Sequence, residues 1–527
     1  MAYLLHQLIE EAAAADPDHV ALSCRGADIT YAELFERAGR LANVLTMRGV
    51  KPGDRVGIYL NKCLETGIAL YGIMMAGAAY VPLDPTAPIA RLAFIVNDCH
   101  IEHLISEPAK RERLEAMARE APSLRAVIGL HEDIGDVEAI DWRAVAGASQ
   151  ETSPRVTEMD PCYILYTSGS TGVPKGIAHT HRSAISWANV TASTYRFGPE
   201  DVLSNYAPLQ FDLSTLDFFG GARSGATTVM IPEEYLKLPT SLAGFLEESG
   251  ITVFFTVPMA LIQLSQPGVL DGKGLGKLRL VLFGGEPMPL KHLVSIMERV
   301  PQAEFVNVYG PTEVNGVTHF PVESVPDPNG PPLPIGEPYA NVEALVVDSS
   351  GNPVDDGEMG ELLIRAPTMM RGYWARNDLN EEVFYFRQRF SGLPEVFLRT
   401  GDLAHRDREG VFHFHGRKDR QVKSRGFRVE LDEVEAALLS HPAVEEAATY
   451  VITEGDGTVL IRAAATLAGH EVEEAALRRH MATSLPGYAL PTSIEIVDDF
   501  PRTTTGKIDR KSLAERAGAL IREGSRA

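Results

Sequence analysis

Tyr166-Thr-Ser-Gly-Ser-Thr-Gly-Val-Pro-Lys-Gly176 follows directly on the apolar Tyr163-Ile164-Leu165. Three glycines and four Ser or Thr hydroxyls in so short a turn can bring backbone N–H groups around phosphate oxygens, and Lys175 adds a point charge. The stretch is not a Walker loop. That pattern needs glycine where Pro174 stands, and here Gly176 follows the lysine. Taken alone, the stretch also reads as a flexible Gly/Ser turn.

Outward from it, short β-branched runs alternate with helical patterns. Arg55-Val-Gly-Ile-Tyr59, Thr252-Val-Phe-Phe-Thr256 and Leu278-Arg-Leu-Val-Leu-Phe283 are strand-like, with helical segments between. Such alternation predicts α/β layers around largely parallel sheets. From about Asn341 to Ile364 short strands separated by turn residues predict a β-rich subdomain. After Gly416 a tail of roughly a hundred residues has the size of a domain of its own. Its pattern predicts a helix from near Asp432, a strand at 449–453, a helix at 472–484 and a strand at 493–497.

Composition narrows the classes. The formal charge of −22 disfavours nucleic acid and anionic membrane as main partners. It leaves nucleotides open, because these need only a few local cations and backbone amides. The most membrane-like stretch, Gly67 to Leu83, is interrupted by Gly72, Gly77 and Pro82 and reads as a buried helix followed by a buried strand. Cys24, Cys63, Cys99 and Cys162 lie far apart with no C-x-x-C pair, which argues against a zinc site or disulfide framework and fits a reducing cytosol. The N-terminal residues have no basic n-region and read as an amphipathic helix, not a signal peptide.

Four further clusters carry possible chemistry. Asn307-Val-Tyr-Gly-Pro-Thr-Glu313 ends a strand in a turn that could stack a base on Tyr309 and hold Mg²⁺ through Glu313. Arg399-Thr-Gly-Asp-Leu403 offers Asp402 to two ribose hydroxyls, or is a plain turn with a solvated aspartate. Gly416-Arg-Lys-Asp-Arg-Gln-Val-Lys-Ser-Arg-Gly426 is dense in cations, which alone reads as a solvated charge run. Pro501-Arg-Thr-Thr-Thr-Gly-Lys507 flanks a lysine with glycine near the C-terminus and alone would be a surface loop.

In this order the five stretches resemble the adenylate-forming superfamily of acyl-CoA synthetases, luciferases and peptide-synthetase adenylation domains. The resemblance runs from about Ile29 to Arg510. It implies a large N-terminal adenylation domain over 1–418 and a small, mobile C-terminal α+β domain over 419–527. Thr167, Ser168, Gly169, Thr171 and Lys175 would form the phosphate loop. Tyr309 would stack the adenine, Asp402 with Arg417 would hold the ribose, and Glu313 would bind Mg²⁺. Gly284, Glu286, Asn307, Gly310 and Thr312 would complete the ATP site. Asp419 would be the hinge of a rotating small domain. Lys507 would bridge substrate carboxylate and α-phosphate, and Lys423 to Gly426 would enter for thioester formation.

Phe211-Asp-Leu-Ser214 matches the place where amino-acid-activating members carry an aspartate for the substrate amine. The other reading of Asp212 is a helix N-cap. By the same resemblance the pocket would be lined by Leu213, Leu216, Phe255, Val281, Phe283, Val308, Gly316 and Val317. That apolar lining suits a small apolar amino acid, with L-proline favoured by similarity to free-standing proline ligases. The chain ends soon after Lys507, so the expectation is a stand-alone cytoplasmic enzyme that passes its aminoacyl group to the phosphopantetheine arm of a separate carrier protein. Arg478, Arg479 and His480, or Arg510 and Lys511, are candidates for a basic docking patch, or else solvated helix faces. An acyl- or aryl-CoA ligase of the same fold, and an unrelated ATP-binding or kinase-like protein, are the alternatives.

Overall fold

A computed structural model describes residues 2–150, 155–169, 173–424, 426–454, 458–468, 472–502 and 508–524. The chain divides into two compact units. One comprises Met1–Pro85, Ala93–Tyr166 and Gly176–Lys418. The other comprises Asp419–Ala527 together with two short stretches from earlier in the chain, Thr86–Leu92 and Thr167–Lys175.

The larger unit is built on three sheets. In the nine-stranded sheet, Val20–Cys24, Thr227–Met230, Val202–Asn205, Val253–Thr256, Leu280–Gly284 and Glu304–Tyr309 are parallel neighbours, and antiparallel strands close both edges. An eight-stranded sheet carries Arg55–Ile58 and Ala79–Pro82 as parallel neighbours and includes Pro161–Thr167, the strand that leads into the glycine-rich loop. A five-stranded antiparallel sheet holds Glu343–Val347, Gly360–Arg365 and the long Leu393–Arg406. Mixed α/β architecture with a smaller C-terminal unit is as the sequence predicts.

Parallel strands are covered by helices on both faces and therefore carry apolar residues on both. The nine-stranded sheet follows this rule. Val253, Phe255, Leu280, Leu282, Val306 and Val308 pack into one cluster, while Phe254, Val281, Phe283 and Phe305 pack into another on the opposite face. The Gly67 to Leu83 stretch is the helix Leu64–Met75, buried on every side from Thr66 onward, followed by the strand Ala79–Pro82. Among the described residues no helix is long and apolar enough to cross a membrane.

The smaller unit has a hairpin, Gln421–Ser424 with Phe427–Glu430, and a three-stranded sheet of Val444–Thr453, Val459–Leu467 and Ser493–Ile496. Helices Leu431–Leu439 and Glu474–Met481 pack on this sheet through Val434, Leu438, Leu477 and Met481.

Three histidines of the larger unit are held neutral. Burial lowers His179 and His6 to about 4 and His181 to about 3. His181 Nδ1 accepts from the Leu5 N–H at 3.0 Å, which requires the unprotonated ring nitrogen. In the unfolded chain these rings titrate near pH 6.5. Below that pH the unfolded state binds protons that the folded state refuses, so their contribution is present above pH 6.5 and is lost as pH falls toward 4. Each ring contributes a slope of about 1.4 kcal/mol per pH unit across that window. Urea unfolding midpoints should therefore drop clearly between pH 6.5 and 5, before ordinary carboxylates titrate. A flat midpoint over that interval would contradict the buried neutral assignment.

Candidate nucleotide and acid sites

The turn after the strand Glu304–Tyr309 is tightly constrained. A side chain at Gly310 would place its Cβ 1.7 Å from the Asn315 carbonyl oxygen, so only glycine closes the turn. Asn315 itself sits in the left-handed region at φ 65°, a conformation that asparagine tolerates. His179 braces the turn. Its Nε2 lies 2.9 Å from the Thr312 carbonyl oxygen, and its ring stacks on Tyr163 at 4.9 Å. His179 lies 133 residues before Thr312, and no local pattern marked it as part of the site.

Three residues named from sequence come together here. The Tyr309 hydroxyl donates to Asp402 Oδ2, and Arg417 Nη1 donates to Asp402 Oδ1. Asp402 and Arg417 are cross-strand partners of the antiparallel pair Leu393–Arg406 and Phe412–Arg417, which fixes their approach. The Asp402 N–H donates to Thr400 Oγ1 at 3.0 Å. Burial, then the Asp402 charge, pushes the Tyr309 hydroxyl far up, so it acts only as a donor to that carboxylate. Asn307 Nδ2 donates to the Pro334 carbonyl oxygen at 2.8 Å.

Glu313 is buried, and its Oε1 accepts from the Tyr373 hydroxyl at 2.7 Å. Among the described residues no group of three His, Cys, Asp or Glu side chains comes together as a cage. A buried carboxylate such as Glu313 fits a magnesium ion held chiefly by nucleotide phosphates, since that ion commonly takes one or two carboxylates and keeps water. Gly284 lies against the neighbouring strand, where a Cβ would stand 2.1 Å from the Val308 carbonyl oxygen. Glu286 follows it, half-buried, past Gly285 at φ 95°.

In the smaller unit, a side chain at Gly169 would meet the Val173 carbonyl oxygen at 2.0 Å, so the close approach there requires glycine. Thr167 Oγ1 is buried without a hydrogen-bond partner among the described residues. Ser168 Oγ donates to the Arg428 carbonyl oxygen at 3.0 Å. Lys175 opens the strand Lys175–Thr180. Asp419 is the first residue of the unit's C-terminal segment, and its Oδ1 accepts from the Gln421 N–H at 3.2 Å. Lys423 lies on the hairpin, and Gly426 holds φ 84° at its turn, a conformation that favours glycine. Thr171 and Lys507 lie outside the described residues.

The lining predicted for the acid pocket is corrected in part. Leu213, Leu216, Phe255 and Val308 do share one apolar cluster, with Trp187, Tyr339 and Leu282. Gly316 abuts it: a Cβ there would lie 2.2 Å from the Trp187 ring and 3.2 Å from Tyr339. Val281 and Phe283 instead pack on the far face of the sheet with Leu293 and Ile296, and Val317 packs in a third cluster with Ile177 and Leu362. The reason is strand alternation: Leu282 and Gly284 hold the pocket-side positions, in register with Val306 and Val308. Leu216 opens a π-helical turn, Leu216–Gly220, a rare element that sequence periodicity does not reveal.

Asp212 stands at the N-cap position of the short helix Leu213–Thr215, yet its side chain makes no capping hydrogen bond. Its charge adds to burial and Cys162 in raising the Tyr163 hydroxyl, which places it near that ring. Of the basic candidates, Arg478 donates to the Pro491 and Thr492 carbonyl oxygens, and Arg510 pairs with Glu435, so both are engaged within the unit while remaining partly exposed. Arg479 and Lys511 are exposed.

The AMP-binding enzyme family matches residues 9–374, and the AMP-binding enzyme C-terminal domain matches 433–507. The chain is 32% identical over 515 residues to an L-proline–[L-prolyl-carrier protein] ligase of Pseudomonas fluorescens, covering 97% of this chain and 99% of that protein. It is 36% identical over 510 residues to a component protein of the linear gramicidin synthase of Brevibacillus parabrevis, covering 97% of this chain but only 6% of that much longer protein. Among solved structures, the amide bond synthetase McbA from Marinactinospora thermotolerans matches with a TM-score of 0.86 at 25% identity, covering 97% of this chain and 99% of that one. With family matches in both the long N-terminal part and the C-terminal segment, and a relative matched end to end, this chain belongs to the AMP-binding, adenylate-forming enzymes and is an adenylation enzyme.

Proposed function

We propose that the chain activates a small apolar amino acid, L-proline first among candidates, and transfers it to the phosphopantetheine thiol of a separate carrier protein. A substrate carboxylate oxygen attacks the α-phosphorus of ATP, the bond to the β-phosphate breaks, and pyrophosphate leaves. The thiol then attacks the acyl carbon of the aminoacyl-AMP, and AMP leaves. Asp402 and Arg417 hold the ribose side, and the glycine-rich loop with Lys175 cradles the phosphates. Glu313 would hold a magnesium ion together with the nucleotide, and that ion would supply countercharge to the phosphates.

The observation that carries the amino-acid reading is Asp212. A carboxylate directly before Leu213 of the apolar cluster is suited to a substrate ammonium group. The Trp187 ring filling the space beside Gly316 favours a small side chain. The full-length relative named as an L-prolyl-carrier protein ligase supports both the substrate and the acceptor.

Amino-acid-dependent ATP–pyrophosphate exchange across the proteinogenic set, D-alanine, benzoate and octanoate tests this directly. The expected result is a dominant signal from L-proline or another small apolar amino acid. Asp212→Ala should reduce it by on the order of 10²-fold, because the ammonium group then lacks its charge partner. Exchange with benzoate or octanoate alone would overturn the reading and point to coenzyme A as acceptor.

A further inference from the structure

A cavity of about 420 Å³ opens at the start of the strand Glu304–Tyr309, the end away from Tyr309. Its walls include Tyr195, Val306, His319 and Val325, with the exposed Glu304 and Glu323 also on the lining. Tyr195 and Val306 also belong to the cluster that holds Leu216, Phe255 and Val308, so the cavity and the acid pocket share a wall.

That wall is an aromatic layer. The Tyr195 and Tyr339 hydroxyls are hydrogen-bonded to each other. His319 stacks on Tyr339 at 4.5 Å with the rings 9° apart, and Trp187 meets Tyr339 edge-on at 5.6 Å. Gly316 touches Trp187 and Tyr339 from the pocket side. A continuous series of contacts therefore runs from Gly316 through Tyr339 to Tyr195 and His319 at the cavity. His319 Nδ1 is buried in this layer with no hydrogen-bond partner among the described residues.

We propose that Tyr195 and Tyr339 form the partition that sets the length of side chain this enzyme accepts. The cavity behind them is then a latent extension of the pocket, suited to unbranched apolar α-amino acids. This inference rests on the reading of the Asp212 and Leu216 cluster as an amino-acid pocket. Removing the Tyr195 ring opens the cavity only as far as Tyr339; cutting Tyr339 back to leucine as well joins the two spaces and gives a longer chain a path toward solvent, while Asp212 is left in place.

The test compares wild type, Tyr195→Phe, Tyr339→Leu and the double variant Tyr195→Ala/Tyr339→Leu by ATP–pyrophosphate exchange. Substrates are the preferred small amino acid, norleucine, 2-aminooctanoate and 2-aminodecanoate, with a melting temperature for each variant. Since one methylene in an apolar pocket is worth about tenfold or more in kcat/KM, the double variant should raise the ratio for 2-aminooctanoate over the small substrate by about 10²-fold. Tyr195→Phe, which keeps the ring and loses only the hydroxyl contact, should stay close to wild type. If the double variant does not fold, Tyr339→Leu alone decides on the norleucine ratio. A folded variant that keeps exchange with the small substrate and gains nothing with longer chains overturns the partition while leaving the amino-acid reading intact. A wild-type enzyme that exchanges with no amino acid sinks that reading, and the partition falls with it.

Discussion

Asp402→Ala is expected to lower ATP–pyrophosphate exchange by on the order of 10²–10³ and to destabilise the larger unit by about 3–5 kcal/mol. Both effects have one origin. Asp402 is 5% exposed and accepts from Tyr309 and Arg417 at once. Its removal leaves the Arg417 guanidinium, at 15% side-chain exposure, beside a hole where its counter-charge stood. Removing one partner of a buried pair costs far more than the pair itself contributes. The Tyr309 hydroxyl, which burial keeps protonated, also loses its acceptor. The ribose loses the carboxylate proposed to take its hydroxyls, so KM for ATP should rise as well. Asp402→Asn tests the charge itself: its single carbonyl oxygen can accept from Tyr309 or Arg417 but not both, and Arg417 still lacks its counter-charge, so only part of the stability should return. Measured by urea unfolding and by KM for ATP, the alanine variant should fail most on both counts and the asparagine variant should be intermediate in stability while still impaired in KM. An alanine variant with wild-type ATP dependence would remove Asp402 from the site.

Much of this site was legible because its chemistry needs residues at fixed places in local turns. The stretch around Tyr309 and the one around Asp402 could be picked out separately, and sheet pairing then joins them through the cross-strand partnership of Asp402 with Arg417. The buried helix and strand of Gly67 to Leu83 were legible for a related reason, since glycine and proline mark where one ends and the other begins. The face of a parallel strand was not. Leu280 to Phe283 is apolar at every position because both sides of the sheet are covered, so the alternation that would separate pocket from core is erased. Assigning Val281 and Phe283 to the pocket was therefore a one-residue slip in register, and such a slip sends every side chain to the opposite face. His179 escaped notice because it acts on Thr312 through tertiary packing across 133 residues. Arg478 and Arg510 read as surface cations because sequence does not show the carbonyls and the carboxylate that hold them.

The sharpest separation of the two half-reactions comes from Lys507→Ala. Charge builds on the phosphoryl oxygens as the carboxylate attacks, and little covalent work is left for the protein. A positioned ammonium group that touches both substrate carboxylate and α-phosphate therefore acts mainly in that transition state. Losing one such preorganised group typically costs on the order of 10²–10³ in rate, and amino-acid-dependent ATP–pyrophosphate exchange should fall by at least that much. Thioester formation makes no such demand, because pyrophosphate has already left the α-phosphorus and the carboxylate is already activated as the acyl adenylate. The same variant, given chemically prepared aminoacyl-AMP, should still load a carrier protein or pantetheine at near wild-type rate. Substitution at Gly426 should do the reverse. The backbone there holds φ 84°, and close approach of a pantetheine arm leaves no room for a side chain, so Gly426→Leu should slow loading while exchange persists. If Lys507→Ala lost both activities equally, the lysine would be serving the fold or general substrate binding. If it lost neither, the C-terminal segment would not supply the adenylating cation at all, and Lys175 would be the next residue to test.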